Sequence, residues 1–250
     1  TGDPLRAAVA VGAATARMNE AWWCPGLAQP DGSAAFTLGL RGGLFVDRSG
    51  HRFANESLPY DRMGRELAAA PDRVPAHFVF DSRHDGHPPA IAIPDTPAED
   101  HVAAGTRVRA DTLAELATAL DVPADALRAT VERFNHFART GTDTDFHRGE
   151  DPYDRFFADP GHGGPNPCLV PLDRPPFHAA RLVLADLGTK GGLRTDVDAR
   201  VLDTAGAAIP GLYAAGNTSA SFTGSCYPGP GLPIGSAMTF AHRAVRAMTR

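Results

Sequence analysis

Short apolar runs set between glycine- and proline-rich stretches dominate this chain, and apolar positions at helical spacing occupy a few longer windows. Leu5, Val9, Gly12, Ala13 and Met18 mark one face over residues 4–20, with Asp3 as cap and Pro4 in the first turn, which predicts a helix ended by Trp22-Trp-Cys-Pro25. Residues 43–47 and 77–81 predict short strands, the first followed by a turn at 48–51. Residues 53–60 are polar and aperiodic, and a helix is expected over about 61–70. The Pro-, His- and Asp-rich stretch 83–99 predicts a loop. Residues 111–120 and 123–139 predict two amphipathic helices, each behind a cap-like Asp or Pro. Weak periodicity over 140–178 predicts a long structured loop, uncommon without a function or a surface to pack on. Strands are expected at 180–185, 200–203 and 211–215, a turn cluster at 188–193, and a last helix over 233–248 with proline in its first turn.

Composition narrows the class. With 250 residues, 43% of them hydrophobic, the chain can build one good core or two small domains. A formal net charge of -5 gives no basic surface for nucleic acid. No apolar run approaches the roughly 20 residues a membrane span needs. The opening Thr1-Gly-Asp3 lacks the basic and apolar regions of a signal peptide. Cys24, Cys168 and Cys226 are far apart, odd in number and match no zinc spacing, so a reduced, cytoplasmic setting is expected. Lys190 is the single lysine, which fits a genomic composition bias.

The chemistry concentrates near the C-terminus, where Gly211-Leu-Tyr-Ala-Ala-Gly-Asn217 leads to Tyr227-Pro-Gly-Pro-Gly-Leu-Pro-Ile-Gly235. This predicts a buried strand, a glycine-rich loop holding one tyrosine, and a helix start. Such an arrangement brings backbone N–H groups to an anionic or carbonyl ligand. Gly229 and Gly231 allow close backbone approach, and Tyr227 adds an O–H donor. A connector with a packed tyrosine fits the same residues. Tyr60, after a proline in a polar segment, is a candidate general base if its environment lowers a phenol pKa of about 10; a hydrogen-bonded surface tyrosine fits the residues by themselves better. The Gly-Asn ending at Asn217 is a place for a polar cofactor contact or for a left-handed turn. His84, Asp85 and His87 lack a third ligand at convincing spacing, and Asp143, Asp145, Glu150 and Asp151 fail the EF-hand pattern, so no metal site is expected. The Trp22-Trp23 pair is read as packing.

Together, these segments resemble the 3-ketosteroid Δ1-dehydrogenases, within the wider fumarate-reductase-like group of FAD-binding flavoproteins. The resemblance runs through Glu20-Ala-Trp-Trp23, Arg52-Phe-Ala-Asn-Glu-Ser-Leu-Pro-Tyr60, Gly149-Glu-Asp-Pro-Tyr-Asp154, Pro175-Pro-Phe177, Asp186-Leu-Gly-Thr-Lys-Gly-Gly-Leu-Arg-Thr195 and the C-terminal run. It implies FAD as cofactor and a 3-ketosteroid as substrate. It implies that Tyr227 and the Gly231 N–H polarise the C3 carbonyl, by oxyanion-hole logic, while Tyr60 takes the C2 proton and a hydride passes from C1 to flavin N5. The implied cofactor contacts are Gly216, Asn217, Leu232, Pro233 and Ile234.

The family's Gly-x-Gly-x-x-Gly phosphate cradle does not occur in the sequence, nor does the further tyrosine of its N-terminal segment. The expectation is therefore the C-terminal part of a two-domain flavoprotein, partnered by an N-terminal FAD-binding half. The implied fold is α/β: an α+β substrate cap over residues 31–178, inserted in a partial Rossmann-like FAD domain formed by residues 1–30 and 179–250. Two related reactions stay open, 4,5-dehydrogenation of 5α-reduced ketosteroids and fumarate-like enoate reduction. Residues 219–235 contain no Arg, Lys or His to clamp a carboxylate, which favours a neutral substrate. A catalytically silent fragment that binds only steroid or a partner chain is the alternative from another class.

Overall fold

The computed structural model describes residues 2–89, 96–158 and 160–249. Helix α1 (Asp3–Ala10) and strand β1 (Thr15–Ala16) come first, followed by β2 (Ala21–Ala28), β3 (Ala34–Phe36) and β4 (Gly43–Val46). Next are α2 (Tyr60–Ala68), β5 (Ala76–Asp81), α3 (Ala98–Ala103) and β6 (Arg107–Ala110). Then come α4 (Leu113–Leu120), α5 (Ala124–Thr140), α6 (Pro152–Phe156) and the long β7 (Phe177–Thr189). Strands β8 (Gly192–Leu193), β9 (Arg200–Leu202) and β10 (Ala208–Tyr213) precede the last helix, α7 (Leu232–Met248). The mixed fold divides into two compact units, one of residues 1–22 and 187–250, the other of residues 23–186. These divisions fall outside the sequence-based boundaries at 30/31 and 178/179 because β2 and most of β7 are ladder strands of the larger unit.

The larger unit is built on a six-stranded sheet ordered β3-β2-β7-β5-β4, with β6 also pairing β7. Side-chain alternation sends Leu44, Val46, Val79 and Ala179 to a face covered by Leu116 of α4 and Leu127, Val131 and Phe134 of α5. Phe45, Phe78, Phe80 and Leu182 go to the other face, against Met63 and Leu67 of α2. Both faces of β4 and β5 are buried, so β4 reads as an unbroken apolar run and β5 as Phe-Val-Phe between the buried His77 and Asp81. The expected amphipathic pair is present; α4 starts at a capping box, Thr112 with Glu115, in place of the expected Asp.

Three expectations change in this unit, and one strand was not anticipated. Trp22-Trp-Cys-Pro25 lies inside β2, where the missing N–H of Pro25 is tolerated because the β3 ladder begins only at Gly26. The stretch 83–99 carries α3 over its last residues, and part of it, residues 90–95, lies outside the described residues. The stretch 140–178 contains α6, capped by the Asp151 side chain, and the first residues of β7. Strand β6, Arg-Val-Arg-Ala, was too short to signal itself by alternation.

In the smaller unit α1 ends at Ala10, far short of residue 20. Gly12 adopts a left-handed φ of 92°, and the chain then pairs with the β9 region through the Ala14 N–H and the Leu202 carbonyl. The helix is capped by Gly2, and Asp3 is its first residue. Strands β1/β8 and β9/β10 form two antiparallel ladders. The strand expected to be buried at 211–215 is the end of β10, mixed in exposure because β9 is its one ladder partner among the described residues.

His77, on β5, pairs across to Arg181 of β7 and lies beside Arg48. Burial, reinforced by Arg181 and Arg48, pushes its imidazole down to about 4 from an ordinary 6.5. Asp121 at the end of α4 is the carboxylate lining the same hollow. The unfolded chain therefore takes up a proton below pH 6.5 that the folded chain refuses until about pH 4. Stability from this group is full above 6.5 and falls as pH drops through that window, by about 3 kcal/mol in all. Denaturant unfolding across pH 4 to 7 should show this slope in the parent and a shallower one in His77→Gln.

Candidate active site

In the smaller unit, the segment between β10 and α7 begins with a 3₁₀ turn (Gly216–Thr218) and continues as a loop through Gly231. It is stitched to β8: Leu193 forms a parallel bridge to Ser219, and the Ala220 and Ser221 N–H groups donate to the Leu193 and Lys190 carbonyls at 2.8 and 2.9 Å. At Gly192 this approach is so close that a Cβ would sit 2.5 Å from the Thr218 carbonyl oxygen.

Lys190, 1% exposed, ties down the middle of the loop. Its ammonium donates to the Ser225 and Cys226 carbonyls, both at 3.0 Å, and lies 4.4 Å from the Trp22 ring centroid. The Trp22 ring meets Tyr227 edge-on at 5.2 Å. The single lysine therefore fixes the two residues before Tyr227 and the ring that Tyr227 packs on.

Gly231 caps α7 with φ 87°, and Gly229 has φ 151°. Among the described residues beyond the chain neighbours, no atom lies within 4 Å of a Cβ at either glycine, so the backbone angle, and not crowding, requires glycine there. The helix start has no side-chain cap and no acidic residue in its first turn, so its positive end is not neutralised by its own side chains.

A cavity of about 650 Å³ in this unit is lined by Gly216, Asn217 and Pro233 together with Trp22 and Phe240. Leu232 and Ile234 sit on the same helix start outside that lining, and Ile234 is 68% exposed. Residues 219–235 carry no cation of their own, yet Arg17 and Arg194 also line the cavity. The Arg17 guanidinium comes within 3.4 Å of where a Cβ on Gly224 would stand. Aromatic walls, an amide side chain, an unneutralised helix start and nearby guanidinium groups suit a planar group carrying negative charge, and so fit a flavin nucleotide.

Tyr60 belongs to the larger unit, where it is the first residue of α2 behind Pro59. Its half-buried ring meets Phe36 edge-on at 5.2 Å. Helix α2 is pressed onto β2 at Gly64, where a Cβ would lie 2.6 Å from the Cys24 nitrogen. Cys24 itself is no nucleophile: burial, then Asp186, push its thiol up to about 12. Tyr227 and Gly231 share one loop, and Gly216, Asn217 and Pro233 share one cavity, all within the smaller unit. Lys190, Arg17, Arg194 and Gly64 were missed as site residues; only Lys190 carried a signal, as a lone lysine in a glycine cluster.

Among families, FAD binding domain matches residues 1–234. The chain is 46% identical over 261 aligned positions to the 3-oxosteroid 1-dehydrogenase of Mycobacterium tuberculosis strain H37Rv, covering 98% of the chain and 45% of that protein. It is 41% identical to the 4-oxocyclohexanecarboxylate 2-dehydrogenase of Sinomonas cyclohexanicum, covering 99% of the chain and 45% of that protein. The crystal structure of 3-ketosteroid Δ1-dehydrogenase from Sterolibacterium denitrificans, in complex with 1,4-androstadiene-3,17-dione, superposes with a TM-score of 0.89 at 38% identity, over 99% of this chain and 46% of that one. The chain thus spans about half the length of the curated relatives it matches.

Replacing Lys190 by Met should strand the Ser225 and Cys226 carbonyls and cost about 2 kcal/mol. Altered Trp22 emission and faster proteolysis within 223–228 would register the loosened loop. Gly64→Ala should force α2 away from β2, lowering stability by about 2–3 kcal/mol in denaturant melts.

Proposed function

This chain belongs to the FAD binding domain family, and we propose that it supplies the proton-abstracting and carbonyl-polarising groups of an FAD-dependent 3-ketosteroid 1,2-dehydrogenase. The observation that carries this reading is 46% identity over 98% of the chain to a 3-oxosteroid 1-dehydrogenase. The loop geometry supports it. Tyr227 and the Gly231 N–H lie on a segment pinned by Lys190, at a helix start whose own side chains leave its positive end unneutralised. A C3 carbonyl oxygen held there gains stabilisation as it becomes an enolate, which acidifies the C2 proton. Tyr60, acting as a phenolate, takes that proton on its phenolic oxygen and becomes the neutral phenol. FAD, when bound, supplies the acceptor for the hydride equivalent leaving C1. Gly216, Asn217 and the Leu232-Pro233-Ile234 helix start are the residues that would hold it, with Trp22 and Phe240 excluding water from the same cavity.

On this reading residues 1–30 and 179–250 serve the FAD domain and residues 31–178 the substrate cap. An N-terminal FAD-binding half, in the same polypeptide or a separate one, completes the cofactor site. A cytoplasmic setting accords with cysteines that are all unpaired. No described helix is long and apolar enough to cross a membrane.

Arg17 beside the glycine loop favours a second reading, in which the cyclic ketone bears a carboxylate. Turnover of a 3-ketosteroid and of 4-oxocyclohexanecarboxylate with a dye acceptor, by the complete FAD-loaded protein, separates the two. The steroid should be preferred, with Tyr60→Phe lowering kcat by about 10²-fold or more and Tyr227→Phe by about 10²-fold. Unchanged kcat in Tyr60→Phe would remove the base assignment, and preference for the carboxylate would transfer the reaction to the second substrate class.

A further inference from the structure

Two motif segments far apart in sequence, 52–60 and 143–154, meet in one buried cluster of charges within the larger unit. Arg52 pairs with Glu56 through Nε and Nη2, each at 2.7 Å, and its Nη2 reaches Asp143 at 2.7 Å. Arg148 pairs with the same Glu56 at 3.1 Å. The four side chains are between 0 and 5% exposed, and their charges cancel. The Arg52 guanidinium also lies over the Phe134 and Phe146 rings, at 5.2 and 4.9 Å from their centroids. Against the cost of burial, Glu56 and Asp143 raise the Arg52 pKa, and Arg52 lowers that of Asp143, so both stay ionised.

The cluster is wired to the backbone on both sides. Glu56 accepts the Phe45 N–H of β4 at 3.1 Å. Arg148 donates to the Gly43 and Leu40 carbonyls at 2.8 and 3.3 Å and, through Nε, to the Ser57 hydroxyl at 3.0 Å. Beside it, Asn55 donates to Asp154 at 3.0 Å and takes the Ser57 N–H at 2.9 Å. The Asp154 carboxylate also receives the Gly149 N–H at 2.7 Å. Arg52, Asn55, Glu56 and Ser57 are thus anchored, and the chain emerges through Leu58 and Pro59. The Pro59 carbonyl takes the Met63 N–H at 3.0 Å, so the first turn of α2 hangs from the anchored loop. Tyr60 is the first residue of that turn.

Buried ion clusters give little stability over apolar residues of the same volume, while their directional bonds specify geometry. We propose that Glu56 and Arg148, supported by Arg52 and Asp143, are positioning residues that set the direction of the Tyr60 phenol. The inference rests on the reading of Tyr60 as the base. It explains why the Arg-Phe-Ala-Asn-Glu-Ser-Leu-Pro-Tyr segment and the segment around Gly149–Asp154 belong together: one carries the base and the other holds its loop.

The test uses the complete FAD-loaded protein and 3-ketosteroid turnover. Glu56→Gln and Arg148→Lys, each alone and each combined with Tyr60→Phe, form two double-mutant cycles. Each single variant should lower kcat by about 10- to 100-fold with KM changed less than about threefold. In the Tyr60→Phe background the same substitutions should cost less than about threefold more, because the group they aim is gone. Ser57→Ala, which keeps every ion pair and removes only the Arg148 Nε acceptor, guards against a folding failure and should lower kcat by roughly three- to tenfold with KM unmoved. Parent-like kcat in all three variants overturns the proposal. So does a loss that multiplies fully with that of Tyr60→Phe, since it marks a merely structural role. Unchanged turnover in Tyr60→Phe itself overturns the base assignment and this inference with it, an outcome distinct from the other two.

Discussion

Burial of β4, β5 and the start of β7 on both faces is the constraint on which the larger unit depends. A sheet buried on both sides must satisfy its backbone within its own ladders and spend nearly every side chain on a core. Polar chemistry is thereby driven to the ends of the strands and to the loops leaving them. The Glu56–Arg148 cluster sits where the 52–59 segment crosses the start of β4, and its hydrogen bonds run to Leu40, Gly43 and Phe45. Helix α2 follows from the same logic: Met63 and Leu67 cover one face of the sheet, and Gly64 lets the helix backbone touch β2.

The smaller unit achieves order by different means. Its ladders are short and α7 exposes Ile234, Met238, Val245 and Met248, so its apolar core is modest. The long glycine loop is held by pointwise contacts: a parallel bridge at Leu193, a close approach at Gly192 and a buried ammonium at Lys190. An ammonium with two carbonyl acceptors and an aromatic face is fully engaged, which is why one lysine suffices where a strand pairing is absent. In both units a buried cation orders the segment beside a tyrosine, Lys190 ahead of Tyr227 and Arg148 ahead of Tyr60. Charge-assisted bonds to backbone carbonyls give rigidity where glycine and proline preclude regular structure.

The strands at 43–46 and 76–81, the amphipathic helices α4 and α5 and the proline-led start of α7 were legible in the chain, because each signal is local. The stretch after residue 10 misled, since a helical spacing continues through Gly12 and Ala13 while the backbone turns to meet Leu202. Trp22-Trp-Cys-Pro25 misled in the same way, because a proline in a strand is acceptable only where no neighbour needs its N–H. The absence of cations from residues 219–235 favoured a neutral substrate and could not show that Arg17 and Arg194 reach the nearby cavity from segments distant in sequence.

Local patterning was enough to establish the mixed α/β character, the main elements, and the residues worth watching: Tyr60 behind its proline, Tyr227 within its glycine loop, Gly231 at a helix start. Period, capping and turn chemistry are encoded within a few neighbouring residues and need no knowledge of the rest of the chain. Packing alone chose the division into two units, the pairing of Arg148 with Glu56 across 92 positions, and the seat of Lys190 beneath Ser225 and Cys226. Those are contacts between segments remote in sequence, and a buried charge declares its partner only when the fold has removed it from water.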